Sequence, residues 1–170
     1  MAKKASRKTS EKTRKKTPKA TPVLCTIGYE QATPDALIGE LKRAKVKLLV
    51  DVRAVAASRK PGFSKRQLAA SLDENGIGYL HLQKLGTPDA GRQAARAGKL
   101  ESLWKIYARH LTTPEAREAM DELITIVKSG QTVCLLCFER DKNCCHRSRI
   151  AEVVNERTGA EVVDLVPALF

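Results

Sequence analysis

One short stretch of the chain brings together thiol, imidazole, carboxylate and guanidinium groups. Cys137 is followed two residues later by Glu139, and Cys145, His146 and Arg147 come next as a contiguous trio. These residue types support three kinds of chemistry: a thiolate nucleophile beside a cation, a soft-metal site for zinc or iron, or an anion site. A fourth interpretation is structural, with Cys145 packing a helix start and the arginines pairing with acids.

A strand, a loop and a helix are predicted to position this stretch. Residues 132–138 form a short apolar run with β-branched members, typical of a buried strand, and helical spacing of apolar residues begins near His146. Ligands bind at the carboxyl edge of parallel strands, and a helix N-terminus favours anions and thiolates. Cys137 and Cys145 lie at that edge, whereas Cys25 and Cys134 lie inside strands and are predicted to be buried small hydrophobes.

Other segments are expected to reach the same edge. A second strand ends in Asp51-Val52-Arg53, so Arg53 should face the same crevice as Cys145. Asp51 is expected either to orient Arg53 or to accept a proton. The loop that contains Arg59 is predicted to clamp an anion, the alternative being a solvated basic loop. Tyr29 follows the first strand at that edge.

The candidate site residues fall into two groups. Those that exchange protons or act as nucleophiles are the candidate catalytic residues Cys145, His146, Glu139 and Asp51. Those that hold an anion or line its site are Arg53, Arg147, Arg59, Tyr29 and Cys137. The cysteine spacing matches no standard zinc-binding motif, with Cys144 as a further possible ligand, so neither a metal nor another cofactor is predicted.

Alternating strand and helix patterns predict an α/β fold in one domain, residues 22–170. The sheet should be mostly parallel, with four or five strands and helices on both faces. Gly28 is expected to permit a turn after the first strand, Thr33 and Ser64 are predicted helix N-caps, and residues 83–99 are predicted to be a partly helical loop. The predicted strands span residues 23–28, 47–52, 77–82, 132–138 and 161–166.

Basic residues are concentrated at the N-terminus. The 170-residue chain has a net charge of +12, of which residues 1–20 contribute +8. Residues 1–21 lack apolar periodicity, which predicts a disordered basic tail. Such a tail is expected to bind a nucleotide or nucleic acid electrostatically, or to act only as a solubilising segment.

Composition also restricts the cellular setting. No apolar run is long enough to span a membrane, and the N-terminus lacks the apolar core of a secretory signal. Five cysteines, an odd number, do not form a complete disulfide framework. These features predict a cytoplasmic protein with reduced thiols and no membrane partner. They do not specify an oligomeric state.

Several short motifs follow one another along the chain: Thr26-Ile27-Gly28-Tyr29-Glu30, Asp51-Val52-Arg53, Ser58-Arg59 with Phe63, Ile77-Gly78-Tyr79 through Leu85-Gly86, Tyr107-Ala108, Cys137-Phe138-Glu139 and Cys145-His146-Arg147. In their order and spacing these motifs resemble those of the DUF488 family, a domain of unknown function. The resemblance implies a compact α/β fold and one shared motif set, but no reaction. Thr87 stands where the family usually has a second glycine, and Cys144 is extra to the pattern, which favours Cys145.

A looser similarity links the chain to rhodanese-type sulfurtransferases. They also have Asp-Val-Arg after an early strand and a cysteine loop between a late strand and a helix. Here residues 138–144 are charged rather than glycine-rich, so a tight backbone cradle for an anion is not expected.

Three functions therefore fit the sequence. The first is a small enzyme acting on a phosphate-bearing ligand, a nucleotide or a nucleic-acid end. The second is a non-catalytic nucleic-acid or nucleotide-binding module, and the third is a thiol-dependent sulfur-transfer or redox protein. The proposed site requires that Arg53 and the Cys145-His146-Arg147 trio converge.

Overall fold

The structure, a computed structural model, describes residues 21–169. The basic tail predicted for residues 1–21 lies outside the described residues except for Thr21. Within residues 21–169 the chain forms five strands and six α-helices. The strands are β1 (Val23–Gly28), β2 (Leu48–Asp51), β3 (Gly78–His81), β4 (Val133–Cys137) and β5 (Glu161–Leu165). The helices are α1 (Pro34–Arg43), α2 (Lys65–Glu74), α3 (Asp89–Arg96), α4 (Leu100–His110), α5 (Pro114–Lys128) and α6 (Arg147–Thr158), with short 3₁₀ turns at Gln83–Leu85 and Lys142–Cys144.

The strands form one parallel sheet in the order β3-β2-β4-β1-β5. Gly28 at the end of β1 is in register with Cys137 at the end of β4, and Asp51 at the end of β2 is in register with Leu136. The carboxyl ends of these three neighbouring strands therefore lie level at one edge of the sheet. This arrangement confirms the predicted α/β fold with a parallel sheet.

Two hydrophobic cores cover the two faces of the sheet. On one face, strand residues such as Leu24 and Leu135 pack with residues of α4, α5 and α6. On the other face, Cys25 and Cys134 pack with residues of α1 and α2. Both cysteines are buried, as their positions inside strands predicted. Because successive strand residues point to opposite faces, one short apolar run contributes to both cores.

Helix α1 begins where the sequence indicated. The Thr33 hydroxyl accepts a hydrogen bond from the N–H of Ala36 at 3.2 Å, and Pro34 occupies the first turn. Ser64 is the N-cap residue of α2, as predicted, but its side chain makes no capping hydrogen bond to the helix. Instead its hydroxyl donates to the Ser58 carbonyl and accepts from the Ser58 N–H, both at 3.1 Å. Ser64 therefore anchors the basic loop, residues 54–62, that precedes α2.

The segment predicted as a partly helical loop contains a 3₁₀ turn and helix α3. Helix α6 ends at Gly159, whose φ of 69° lies in the left-handed region that glycine adopts without strain. Among the helices in residues 21–169, none combines the length and the apolar character needed to cross a membrane.

Candidate functional site

A buried ion pair lies at the carboxyl end of β2. Asp51 is fully buried and Arg53 is 4% exposed. The Nε and Nη2 groups of Arg53 donate to the two Asp51 carboxylate oxygens at 2.9 and 2.6 Å, and the Tyr79 hydroxyl donates to Oδ2 at 2.6 Å. The backbone N–H of Arg53 donates to Oδ1 at 3.1 Å. Burial alone would lower the pKa of Arg53, but the Asp51 carboxylate raises that pKa overall, so the guanidinium stays charged.

Arg53 also joins separate parts of the chain. Its Nη1 donates to the Tyr29 hydroxyl at 2.9 Å and to the Phe63 carbonyl at 3.0 Å. The Tyr29 and Phe63 rings stack with centroids 4.4 Å apart. On the other side, the His81 ring nitrogen Nε2 is 2.8 Å from the Arg53 carbonyl oxygen. These contacts favour an orienting role for Asp51, and its role as a proton acceptor stays a prediction.

Four side chains converge where β4 ends and α6 begins: Cys137, Glu139, Cys145 and His146, which we call the cysteine–histidine cluster. Their sulfur, oxygen and nitrogen atoms all lie within 4.8 Å of one another. The Cys137 sulfur is 3.1 Å from Glu139 Oε2 and 3.6 Å from His146 Nδ1. The cluster confirms that the predicted strand, loop and helix bring these groups to one place.

The orientation of the His146 ring follows from its hydrogen bonds. Nε2 lies 2.9 Å from the carbonyl oxygen of Val52, which only accepts hydrogen bonds, so Nε2 carries a proton and donates. In the neutral imidazole, Nδ1 then directs its lone pair toward the Cys137 sulfur. The Tyr107 ring packs edge-on against His146 with centroids 5.3 Å apart, and the Tyr107 hydroxyl donates to the Leu85 carbonyl at 2.7 Å.

Burial controls protonation in this cluster. Burial raises the pKa of Cys137 and raises the pKa of Cys145 well above its usual range. This direction is opposite to the lowered pKa that a thiolate nucleophile at a helix start needs. Burial alone would also raise the pKa of Glu139, but hydrogen bonds from the two thiols lower it overall. The cluster therefore holds two neutral thiols beside an ionised carboxylate.

Arg147 follows the cluster in sequence but is not one of its four residues. Its side chain is fully buried, and its guanidinium donates to the carbonyl oxygens of Glu139 and Arg140 and to the Thr26 hydroxyl. The Asp164 carboxylate oxygen Oδ1 lies 3.6 Å from Nη2 of Arg147 and balances part of the guanidinium charge. These contacts hold the loop after β4 from within and favour a structural role. The ligand-binding role of Arg147 stays a prediction.

Gly28 allows β1 to pass close to the same loop. It was expected to permit a turn, but its backbone does not adopt a positive φ. A Cβ atom at this position would collide with the carbonyl oxygen of Glu139. The N–H of Glu30 donates to the Phe138 carbonyl at 2.8 Å just beyond this approach. Glycine is therefore required here by backbone proximity rather than by a turn.

A hollow of about 580 Å³ opens beside the cluster, and we call it the main hollow. Its wall includes Cys137, His146 and Tyr29, whereas Cys145 is buried and does not line it. Glu139 is the one acidic side chain on this wall within residues 21–169. The cationic side chains on the wall come from the end of β2, the basic loop and α3: Arg53, Arg59, Lys60, Arg92 and Arg96.

Other hollows differ in chemistry. A hollow of about 600 Å³ adjoins the main hollow and shares six wall residues with it: Thr87, Arg92, Arg96, Phe138, Glu139 and His146. A separate hollow of about 430 Å³ is lined by Trp104 and Arg149 and contains no thiol or imidazole group from residues 21–169. The main hollow combines Arg53 with three members of the cluster, Cys137, Glu139 and His146, in its wall.

The comparison with protein families agrees with these motifs. The family model described as a domain of unknown function, DUF488, matches residues 33–154, most of the chain. The chain belongs to the DUF488 family. The matched span contains Asp51, Arg53 and the whole cysteine–histidine cluster, and it begins after the Tyr29 segment. No curated protein matches this DUF488 chain at a significant level.

The DUF488 site contains groups that sequence reasoning missed. Arg92 and Arg96 were not singled out, because residues 83–99 were predicted only as a partly helical loop. Their spacing of four residues places them on one face once α3 is recognised as a helix. Tyr79 and Tyr107 appeared in the family motifs without a role, and the structure places them against Asp51 and His146.

Replacing Arg147 by methionine should lower the free energy of unfolding by about 3 kcal/mol, because it leaves the loop carbonyls and Asp164 without their donor. Urea denaturation measures this change. Arg149→Met is the matched control on the same helix: its side chain is half exposed and contacts Glu152 and Trp104, so a loss below about 1 kcal/mol is expected. An Arg147→Met protein of unchanged stability that no longer binds phosphate would instead support the ligand-binding role.

Proposed function

We propose that this DUF488 protein is a small enzyme that acts on a phosphate-bearing ligand, a nucleotide or a nucleic-acid end, in the main hollow. The observation that carries the proposal is the charge of the wall, where five cationic side chains share the surface with a single carboxylate, Glu139 of the cluster. Low-dielectric walls of one sign raise the local concentration of oppositely charged ligands. The volume of about 580 Å³ lies within the range of small-molecule sites.

The cations of the wall divide into fixed and exposed groups. Arg53 is held by Asp51, and Arg92 donates to the Thr87 carbonyl and to Asp89. Two further arginines on the wall are exposed: Arg59 in the basic loop and Arg96 in α3. Guanidinium groups bind phosphate oxygens in a bidentate manner. In this proposal Arg53, whose charge Asp51 balances, lines the anion's site in a fixed position, and Arg59 and Arg96 contact the phosphate.

The reacting groups in this proposal are those of the cluster. Glu139 and His146 line the main hollow and exchange protons with the bound ligand. Cys137 is the thiol on the wall, so it meets the ligand before Cys145 does. Cys145 was a candidate catalytic residue, and in this arrangement it acts through its contact with Cys137 and His146.

Arg59→Ala and Arg96→Ala should each weaken binding of inorganic phosphate and of nucleoside monophosphates about tenfold, since each removes a charge-assisted hydrogen bond. Isothermal titration calorimetry at low ionic strength measures the affinity. Arg149→Ala, which removes an exposed arginine outside the main hollow, is the control and should bind as the unmodified protein does. Unchanged phosphate affinity in both hollow variants would reject the main hollow as an anion site.

A thiol-dependent sulfur-transfer or redox function is a second candidate, favoured by two sulfur atoms within 4.8 Å of each other. It requires Cys137 to react as a thiolate, although burial raises its pKa. Iodoacetamide labelling read by mass spectrometry tests this, with exposed Cys144 as the internal control. We expect Cys144 to be labelled first. Faster labelling of Cys137 would make the thiol function the better one.

Nucleic-acid binding through the basic tail is a third candidate, favoured by the +8 charge of residues 1–20. Removing residues 1–20 should weaken binding to a duplex DNA oligonucleotide and reduce the slope of log affinity against log salt concentration, because fewer counterions are released. Fluorescence anisotropy at several salt concentrations measures both. A chain of the same length with the tail lysines and arginines replaced by serine is the control for tail length. Equal affinity and slope for all three proteins would exclude the tail from binding.

A further inference from the structure

We infer that the cysteine–histidine cluster is a metal site, in which Cys137, Glu139, Cys145 and His146 bind one zinc ion or a divalent cation of similar softness. The inference goes beyond the anion-binding proposal, because metal binding needs no ligand in the main hollow. With the ion bound, Glu139 and His146 hold the metal instead of exchanging protons. It rests on the donor atoms, on their spacing and on the hydrogen bond that orients His146.

The donor set suits zinc. Two thiolates, one imidazole nitrogen and one carboxylate oxygen make four ligands, the number that zinc takes in tetrahedral sites. Thiolate and imidazole ligands select zinc-like metals over magnesium or calcium, which prefer oxygen. Among residues 21–169, this is the one group of three or more such side chains whose donor atoms approach so closely.

The spacing of the donor atoms also suits a tetrahedron. Zinc bonds of about 2.0 to 2.3 Å place neighbouring ligand atoms about 3.3 to 3.8 Å apart. The Cys137 sulfur is 3.6 Å from His146 Nδ1 and 3.1 Å from Glu139 Oε2. The largest separation in the group is below 4.8 Å, so small rotations of side chains bring all four atoms to bonding distance of one ion.

His146 is oriented as a metal-binding histidine is. A ligating imidazole almost always donates its second N–H to a carbonyl or a carboxylate, which fixes the tautomer and the ring direction. Here Nε2 donates to the Val52 carbonyl at 2.9 Å, and Nδ1 faces the two sulfur atoms and the carboxylate. Tyr107 packs edge-on against the ring and fixes its position further. This support comes from Val52, just after β2, and from α4, and so is independent of the four ligands.

The neighbouring Cys144 is excluded by its position. Its side chain is exposed, and its sulfur lies 3.9 Å from Asp141 Oδ2, outside the cluster. Cys25 and Cys134 lie in the core of the opposite face. Of the five cysteines, only Cys137 and Cys145 supply sulfur to the site.

Zinc binding replaces protons of the cluster by one Zn²⁺ ion. Zn²⁺ displaces one proton from each of the two thiols, together with any proton on His146 Nδ1, and these protons pass to the solvent, while Glu139 binds as the carboxylate. Cys137, Cys145 and His146 are buried, whereas Glu139 is half-buried and lines the main hollow. Glu139 is therefore the ligand whose place an oxygen atom of a molecule in the hollow would take, which leaves the three-ligand arrangement of catalytic zinc sites.

The test uses the untagged full-length protein, reduced and freed of metal with a chelator. Titration with Zn²⁺ alone should show one ion bound per chain. Titration with Co²⁺ should give the strong visible bands of tetrahedral cobalt together with the ultraviolet charge-transfer bands of cobalt–thiolate bonds. Cys137→Ser and Cys145→Ser should each weaken Zn²⁺ binding at least about a hundredfold, since loss of an outer-shell partner alone costs about 10- to 100-fold. Cys144→Ser is the matched control and should bind unchanged.

Several outcomes would overturn the inference. These are no Zn²⁺ binding, a Co²⁺ spectrum without thiolate charge transfer, or affinity unchanged in both serine variants whose folding is verified by circular dichroism. The cobalt spectrum of the unmodified protein keeps the test decisive even where a serine variant does not fold. Arg59→Ala and Arg96→Ala should keep full Zn²⁺ affinity, so loss of phosphate binding and loss of metal binding are separate results.

Discussion

A buried guanidinium must have its N–H groups and its charge satisfied by protein atoms, since water is excluded. Two arginines at the carboxyl edge of the sheet are subject to this constraint. Arg53 meets it with Asp51, Tyr29 and the Phe63 carbonyl, and Arg147 meets it with loop carbonyls, Thr26 and Asp164. Each arginine therefore fixes several chain segments at once, and the cysteine–histidine cluster lies in the space between those segments.

The two arginines have different roles in the structure, although the sequence predicted the same role for both. Both were expected to hold an anion, since each follows a strand or begins a helix at the same edge. Arg53 lines the main hollow and is held in place by Asp51, whereas the Arg147 side chain donates to the backbone of the loop after β4. One guanidinium is thus part of the wall, and the other supports the loop that carries Glu139.

The elements and their meeting point followed from local patterns in the sequence. Strand β1, the cap at Thr33 and the alternation of strands and helices were predictable because apolar patterns and capping chemistry are read from a few neighbouring residues. Parallel strands ending at one edge predicted that Arg53 meets the Cys145-His146-Arg147 trio. Of the trio, His146 lines the main hollow with Arg53, whereas Cys145 and Arg147 are buried and do not line it. The side-chain direction of Arg147 and the contact of Ser64 with Ser58 were not predictable, because partners distant in sequence or in neighbouring loops decide them.

Position 28 shows how closely the site depends on residues that never touch a ligand. There the backbone of β1 contacts the backbone of the loop after β4 directly. The Glu139 carbonyl oxygen occupies the space that a Cβ atom at position 28 would need. A methyl group added to Gly28 acts as a wedge that displaces the peptide next to the carboxylate. A substitution of Gly28 would thus have the same effect as a change in a site residue, although its cause is a steric clash between two backbone segments.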